Sequence, residues 1–385
     1  MNKRILAILL TVLFASLFAC SPKPPADTTA KPTAEVVTPD CAEPTAAPTS
    51  KPTAEPTSAP TAEPTSAPTE APTEEPTPEL PARFVFKPKV ASVYQQEVFG
   101  QTMVDAWYNF VDAVMAGETT FACPDNDTYN WVMGQFRDPC FPLLYEITDY
   151  AYDRSEPVKD GVASFVYTIP EDEVPKRIEE FIEFIEGILN EVLKPDYSDF
   201  EKCAALYKYF ADNYTYDYDM FDRTQQGYVF EACSMRCFRE GKGICAELSI
   251  AYSYLLMQAG VEASVMSGTR EYDHLGHQWS YVRINGKDYH IDPTYALDSY
   301  DPLSYLMMTD DRREVMDSFP VSTFFAVSHY SKEHPHPDYA VTDDFFAPIW
   351  DYYFEALYPD EDILRCWRYS EGWEKEYFDF DYSGF

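Results

Sequence analysis

Three residues carry the chemistry this chain could perform: Cys245, His277 and Asp292. Cys245 sits in G-K-G-I-C-A-E-L-S-I-A-Y-S-Y-L-L-M-Q-A-G, where a Gly-rich turn delivers it to the first turn of a predicted helix. A thiol at a helix N-terminus has its thiolate favoured by free backbone N–H groups and the helix dipole, and the thiolate is the nucleophile. Gly241 and Gly243 permit a tight turn and a close approach of substrate to the backbone. Further on, G-H-Q-W-S-Y-V-R-I-N-G-K-D-Y-H-I-D-P-T supplies a base, His277, and a carboxylate, Asp292, that could fix its tautomer.

The elements that must position these groups are legible in the same stretch. Leu248, Tyr252, Leu255, Leu256 and Ala259 recur at helical spacing, and Gly260 ends the run. Asn285-Gly286 is a strong signal for a two-residue hairpin turn. Counting back from it pairs Ile284 with Lys287, Val282 with Tyr289, Tyr281 with His290 and Trp279 with Asp292. Strand periodicity then puts His277, Trp279, Tyr281, His290, Asp292 and Thr294 on one face, and Val282, Ile284, Tyr289 and Ile291 on a core-facing one. Asp292 is diagonal to His277 and within side-chain reach. Trp279, Gly243, Tyr281 and His290 are expected beside the substrate, and His290 is a rival base. A zinc site could be written from His274, His277, Cys245 and Asp292. The thiol reading needs no metal and no cofactor.

The segment from about Ser198 to Asp298 resembles the transglutaminase-like superfamily, whose core is papain-like. G-K-G-I-C resembles that family's Gly-x-Cys motif, G-H-Q-W its His motif and Y-H-I-D-P-T its aromatic-x-x-Asp-Pro-Thr motif. Gln278 stands where the family usually has Ala, and Tyr289 where it usually has Trp. The resemblance implies an α+β fold in which a Cys-bearing helix packs on an antiparallel sheet bearing His and Asp. It also implies that Cys245, His277 and Asp292 serve as nucleophile, base and orienting acid. The expected reaction is acyl transfer through a thioester, with the N–H of Cys245 and a side chain from the region 214–228 as oxyanion donors. Hydrolysis of a peptide or amide is the first expectation. Protein crosslinking is an alternative, and so is a non-catalytic surface-binding domain that uses the aromatic, acidic stretch Tyr216 to Asp222.

On either side of this core the pattern predicts a mainly helical extension over 81–196, the core over 197–300 and a packed extension over 301–385. Helices are expected over Gln101–Met115, Glu171–Val192, from a capping box at Ser198, and over Asp343–Leu357. Strands are expected over Leu143–Tyr152, Val162–Ile169, Val321–Ser328 and near the C-terminal Y-F-D-F-D-Y, with loop between Cys123 and Cys140 that could hold a short helix around Tyr129–Met133.

Composition separates the first 80 residues from the rest. Residues 1–20 have a basic start, an apolar run and a terminal L-F-A-C, which reads as an export signal and resembles a bacterial lipobox with Cys20 as the lipid-bearing residue. Residues 21–80 are almost all Pro, Thr, Ala, Ser and Glu, with T-A-E-P-T-S-A-P repeated from Thr53 to Pro68. No core can form there, and an extended tether could reach on the order of 190 Å. The flanking segments look like those of lipid-anchored transglutaminase-like proteins of Gram-positive bacteria, which implies the outer face of the cell membrane and a peptide or protein substrate, cell-wall peptide included.

The net charge of −36 argues against nucleic acid as a partner. Of nine cysteines, Cys20 is assigned to lipid and Cys41 to the tether. Cys123 and Cys140 are expected to pair as a disulfide, since export permits one. The odd count in the folded part leaves a thiol over, as a nucleophile requires. Nothing in the pattern fixes an oligomeric state.

Overall fold

The computed structural model describes residues 83–152, 156–227, 229, 231–270, 272–297, 302–317, 323–324 and 339–385. The stretches read above as export signal and tether, with Cys20 and Cys41, and the H-P-H-P stretch at His334 lie outside the described residues.

The Asn285-Gly286 turn closes the hairpin at the centre of the fold. Both residues hold positive φ, 52° and 75°, as a tight two-residue connection between right-twisted strands requires. Strands Gly276–Ile284 and Lys287–Ile291 pair in the expected register, with Tyr281 opposite His290 and Val282 opposite Tyr289. The ladder ends at Ser280–Ile291, so Trp279 and Asp292 do not pair: Asp292 has left the strand to cap the short helix Pro293–Ala296. Strand Glu262–Thr269 joins the other edge, followed by Thr323–Phe324, giving an antiparallel sheet.

Helix Cys245–Gln258 packs along this sheet, and every residue in it except Ala246 is buried. It is therefore a core helix, apolar or satisfied on all sides, where the sequence pattern suggests a single apolar stripe. Its polar members are paired inward: Ser253 Oγ donates to Ser264 O at 2.8 Å, and Ser280 Oγ donates to Ser249 O at 3.1 Å. Gln258 exchanges two hydrogen bonds with the backbone of Lys87, tying the extended lead-in to the helix C-terminus.

The N-terminal extension is mainly helical. Helix Gln101–Met115 lies where its periodicity puts it, and Val174–Val192 follows a short turn of 3-10 helix at Glu171–Glu173. Helix Asp199–Asn213 starts on a capping box in which Ser198 Oγ accepts from Glu201 N and Glu201 accepts from Ser198 N. Strand Val162–Tyr167 also forms as expected.

Three expectations are overturned in these flanks. The stretch between Cys123 and Cys140 is mostly helical, not loop, and the two cysteines are free: the Cys140 thiol donates to Gln95 Oε1 and the Cys123 thiol to the Asp125 carbonyl. Leu143–Tyr152 begins as helix Pro142–Ile147, started by its proline, with only Thr148–Tyr150 as strand. Asp343–Leu357 is not a helix. Pro348 confines it to one turn at Ala347–Ile349, and Tyr353–Tyr358 becomes the first strand of an antiparallel meander with Ile363–Tyr369 and Lys375–Asp381. The last of these is the edge strand expected from Y-F-D-F-D-Y.

Candidate active site

Helix Ser234–Glu240 ends at Gly241, whose left-handed φ of 65° reverses the chain toward Cys245. Strand Lys242–Gly243 follows and pairs in parallel with Thr215–Tyr216, setting Tyr216 beside Gly243. A side chain at Gly243 would meet Cys237 Sγ at 3.1 Å and Glu247 Cβ at 3.2 Å. Its glycine is thus needed for interior packing, not to admit a substrate.

Cys245 then opens its helix. The cap residue, Ile244, has no oxygen to offer, so the carboxylate of Glu247 folds back and accepts from the Ile244 N–H at 2.9 Å. Glu247 also accepts from Cys233 N at 3.1 Å and from Arg236 Nε at 2.8 Å, while Arg236 Nη1 donates to Asp217 at 2.8 Å. Burial pushes the Glu247 carboxyl up, against Arg236 and the two backbone donors. This buried Glu247–Arg236–Asp217 chain ties together the three segments that converge on the helix start.

Cys245 keeps only 9% of its surface exposed, and His277 8%. His277 Nε2 lies 2.7 Å from Asp292 Oδ2, which leaves Nδ1 as the ring atom turned to Cys245, and the thiol and the ring are hydrogen bonded. Burial alone would lower the His277 pKa; the charge of Asp292 and the thiol of Cys245 outweigh it and lift it to about 9. Burial would likewise raise the Asp292 carboxyl, but His277 and Arg313 hold it below the usual carboxylate range. Asp292 Oδ1 accepts from Thr294 N at 3.1 Å.

The other residues expected at the site lie behind it. Trp279 is fully buried, stacks 5.9 Å from His277 and donates through Nε1 to His290 Nδ1 at 2.9 Å. His290 is fully buried as well, and with Nδ1 accepting, its Nε2 donates to Asp310 at 2.8 Å. Burial lowers its pKa and both nitrogens are engaged, which removes it as a rival base. The Tyr281 hydroxyl donates to Tyr339 O deep in the core. Trp279, Tyr281, His290 and Gly243 therefore support the site without facing a substrate. The free edge of strand Lys287–Ile291 is closed as well: Asp292 N donates to Tyr305 O, and His290 forms a bridge with Met308.

Two further groups were not visible in the sequence. Arg313, fully buried on helix Asp310–Asp317, donates through Nη1 to Asp292 Oδ2 at 2.7 Å and lies 4.4 Å over the Trp279 ring. Tyr216, half-buried, has its phenol pKa raised by burial and then by the neighbouring Cys245, Tyr295 and Asp292, so its hydroxyl stays protonated beside the thiol. Tyr216 falls within the region 214–228, and its parallel pairing with Gly243 sets it next to the turn that leads into Cys245. His274 holds a positive φ of 59° in the turn before the strand. Among the described residues no group of three or more His, Cys, Asp or Glu side chains could hold a metal ion.

Residues 186–293 match the family model described as the transglutaminase-like superfamily, and residues 43–78 match the PT disordered repeat. No curated protein matches the chain. Among solved structures, one described as a TGase is 19% identical over 36% of this chain and 38% of its own, with a TM-score of 0.28. A proposed cysteine protease from Cytophaga hutchinsonii is 13% identical over 38% of this chain and 53% of its own, with a TM-score of 0.23. A proposed protease from Parabacteroides distasonis is 14% identical, over 38% and 35%, with a TM-score of 0.24. The chain thus spans from about a third to a half of the structures it matches. The helix–sheet packing within the matched segment is that of a transglutaminase-like core in an α+β fold.

Proposed function

We propose that this protein is a thiol-dependent acyl-transfer enzyme acting on amide or peptide bonds, with Cys245 as nucleophile, His277 as base and Asp292 as the acid that orients it. The observation that carries this reading is the unbroken Cys245–His277–Asp292 contact, with a 2.7 Å bond between imidazole and carboxylate. His277 Nδ1 takes the thiol proton, and Asp292 stabilises the imidazolium that results. The thiolate attacks the amide carbonyl, and its oxygen draws on the Cys245 backbone N–H and the Tyr216 hydroxyl. The imidazolium then protonates the leaving amine, and a thioester remains on Cys245. Water, activated by the same imidazole, releases the acid. Membership of the core in a cysteine-dependent superfamily supports this class of chemistry. Hydrolysis is preferred over crosslinking because Cys245 and His277 lie almost closed to solvent, which favours a small second acceptor.

The other thiols make a clean control. Burial pushes the Cys123 thiol up to about 11, and Cys140, Cys233 and Cys366 to about 12; Cys203 and Cys237 are raised too. Iodoacetamide at neutral pH should label Cys245 first, and His277→Ala should slow that labelling at least tenfold. Cys245→Ala should abolish release of ammonia or new amine ends from a peptide library. Equal labelling of the seven cysteines from Cys123 to Cys366, insensitive to His277, would refute the assignment.

We also propose that Cys20 is lipidated and holds the domain at the outer membrane face through the residue 21–80 tether. The lipobox-like L-F-A-C supports this. Radiolabelled palmitate should enter the wild-type chain in a bacterial host and not Cys20→Ala; label in both would rule it out.

A further inference from the structure

The C-terminal meander has two unlike faces. Leu364, Cys366 and Phe380 are buried on one, where Phe380 meets Phe345 and Phe346. On the other, the register lines up Tyr353, Trp367 and Tyr377 in a row across the three strands. Below that row the face is concave: a hollow of about 390 Å³ is lined by Glu355, Ala356, Tyr358, Arg365, Tyr377 and Asp379. Tyr358 and Tyr377 stand in it 37% and 56% exposed. Arg365 and Asp379 cross it as a two-bonded pair, at 2.6 and 2.7 Å, with the guanidinium 5.2 Å over the Tyr358 ring.

Beyond the row, Trp367 leads to Tyr369 at 5.1 Å and Tyr369 to Trp373 at 5.8 Å. Trp373 is 80% exposed and holds a positive φ of 62°. That conformation is the left-handed position of the turn joining the last two strands, where Trp373 N donates to Ser370 O. The turn holds the ring out in solvent at the end of the aromatic row.

The charges on this face say what the ligand is. In a chain of net charge −36 two pairs cancel locally on this face: Arg365 with Asp379, and Lys375 with Glu355 at 3.9 Å. Such a face has little to offer an anion or a cation. It offers ring faces for C–H groups, and a fixed ion pair whose remaining lone pairs and N–H groups suit hydroxyls. We propose that the outer face of the Tyr353–Tyr358, Ile363–Tyr369, Lys375–Asp381 sheet binds a neutral polysaccharide. One pyranose sits between Tyr358 and Tyr377 over the Arg365–Asp379 pair, and neighbouring units lie along Tyr369 and Trp373.

The full chain, run in native gels containing hydroxyethyl cellulose, glycol chitin or laminarin, tests this directly. Retardation is expected in at least one, and the matching oligosaccharide should reverse it. Tyr377→Ala and Trp373→Ala should each weaken it at least tenfold. Trp373 is a turn residue in solvent, so its variant retains the fold even where Tyr377→Ala does not. Cys245→Ala should leave retardation unchanged, which separates this site from the thiol chemistry. Free mobility in all three gels would overturn the proposal. So would retardation that survives Trp373→Ala, or retardation seen only with a charged polymer such as carboxymethyl cellulose.

Discussion

Asp292 Oδ2 is shared: His277 Nε2 and Arg313 Nη1 both reach it at 2.7 Å. A buried carboxylate with one cationic partner would bind that partner very tightly. The second partner keeps Asp292 ionised while taking up part of its field, which moderates the pull on the imidazole. Cys245, Tyr216 and Tyr295 face the same pair, and Trp279 links it to His290 and Asp310. Replacing Arg313 with Met should therefore raise the His277 pKa beyond about 9, by roughly one unit or about 1.4 kcal/mol. An NMR titration of the His277 ring reads this without a substrate, and Arg313→Lys should restore most of it. A merely structural arginine would lower the melting temperature and leave the titration in place. The linkage to stability has a definite sign. The His277 pKa rises on folding from 6.5 to about 9, so its contribution is complete below pH 6.5 and is lost as pH climbs through about 9. Melting temperature should fall across that window, and His277→Gln should flatten the fall.

At the scale of elements, the start of helix Cys245–Gln258 depends on Arg236. Its side chain neutralises Glu247, which caps that helix, and Asp217, which accepts from Met220 N at the start of helix Tyr218–Gln225. Burial alone would raise the Asp217 carboxyl, but the bond from Arg236 and its other donors hold it down at about 2. Arg236→Met would leave Glu247 in the interior without its cation and Asp217 with Lys242 alone, at a cost of about 3–5 kcal/mol. Calorimetry should show that loss, and Cys245 labelling should slow as the helix start loosens; an unchanged melting temperature would mean the network is idle. None of this was legible in the sequence, because Arg236 and Glu247 belong to different segments and ion pairs leave no periodic trace. What was legible rests on local rules. Asn285-Gly286 fixed the hairpin register, and Gly241 with the apolar run after Cys245 fixed the helix. Together they brought His277 and Asp292 within reach of each other. Asp343–Leu357 misled because Phe346, Ile349, Tyr353 and Leu357 sit at helical spacing and are apolar on either template. Pro348 was the one local sign against a helix. Arg313 was hidden for a different reason: it lies 21 residues beyond Asp292 on a short, highly charged helix, and only tertiary packing brings it back.

Over the whole domain, the segment that matches the family model, 186–293, is not self-sufficient. On its N-terminal side Phe181 packs against Tyr254 and Phe141, Gln258 is bonded to the lead-in at Lys87, and the Tyr94 hydroxyl donates to Asp288 at 2.8 Å. On its C-terminal side the Tyr382 hydroxyl donates to the buried Glu201 at 2.7 Å, Phe385 packs against Tyr289 and Phe346, and Phe385 O accepts from Asn285 at the hairpin turn. The Asp292 carboxylate itself takes its second cation, Arg313, from outside the segment. An excised 197–300 chain would expose the outer faces of both the hairpin and the Cys245 helix and leave Asp292 buried beside one partner. Stripping a large buried aromatic from a core costs about 3–5 kcal/mol, and the excision strips several, which together exceeds the about 5–15 kcal/mol that holds a domain of this size. The 197–300 fragment should therefore give collapsed amide NMR dispersion and no cooperative melt, while residues 83–385 should melt in one transition and label at Cys245 at the full-length rate. A folded 197–300 fragment with native Cys245 reactivity would show that the flanks are additions to an independent core. The bonds made by Gln258, Tyr382 and Arg313 argue instead that Cys245, His277 and Asp292 are positioned by the whole domain.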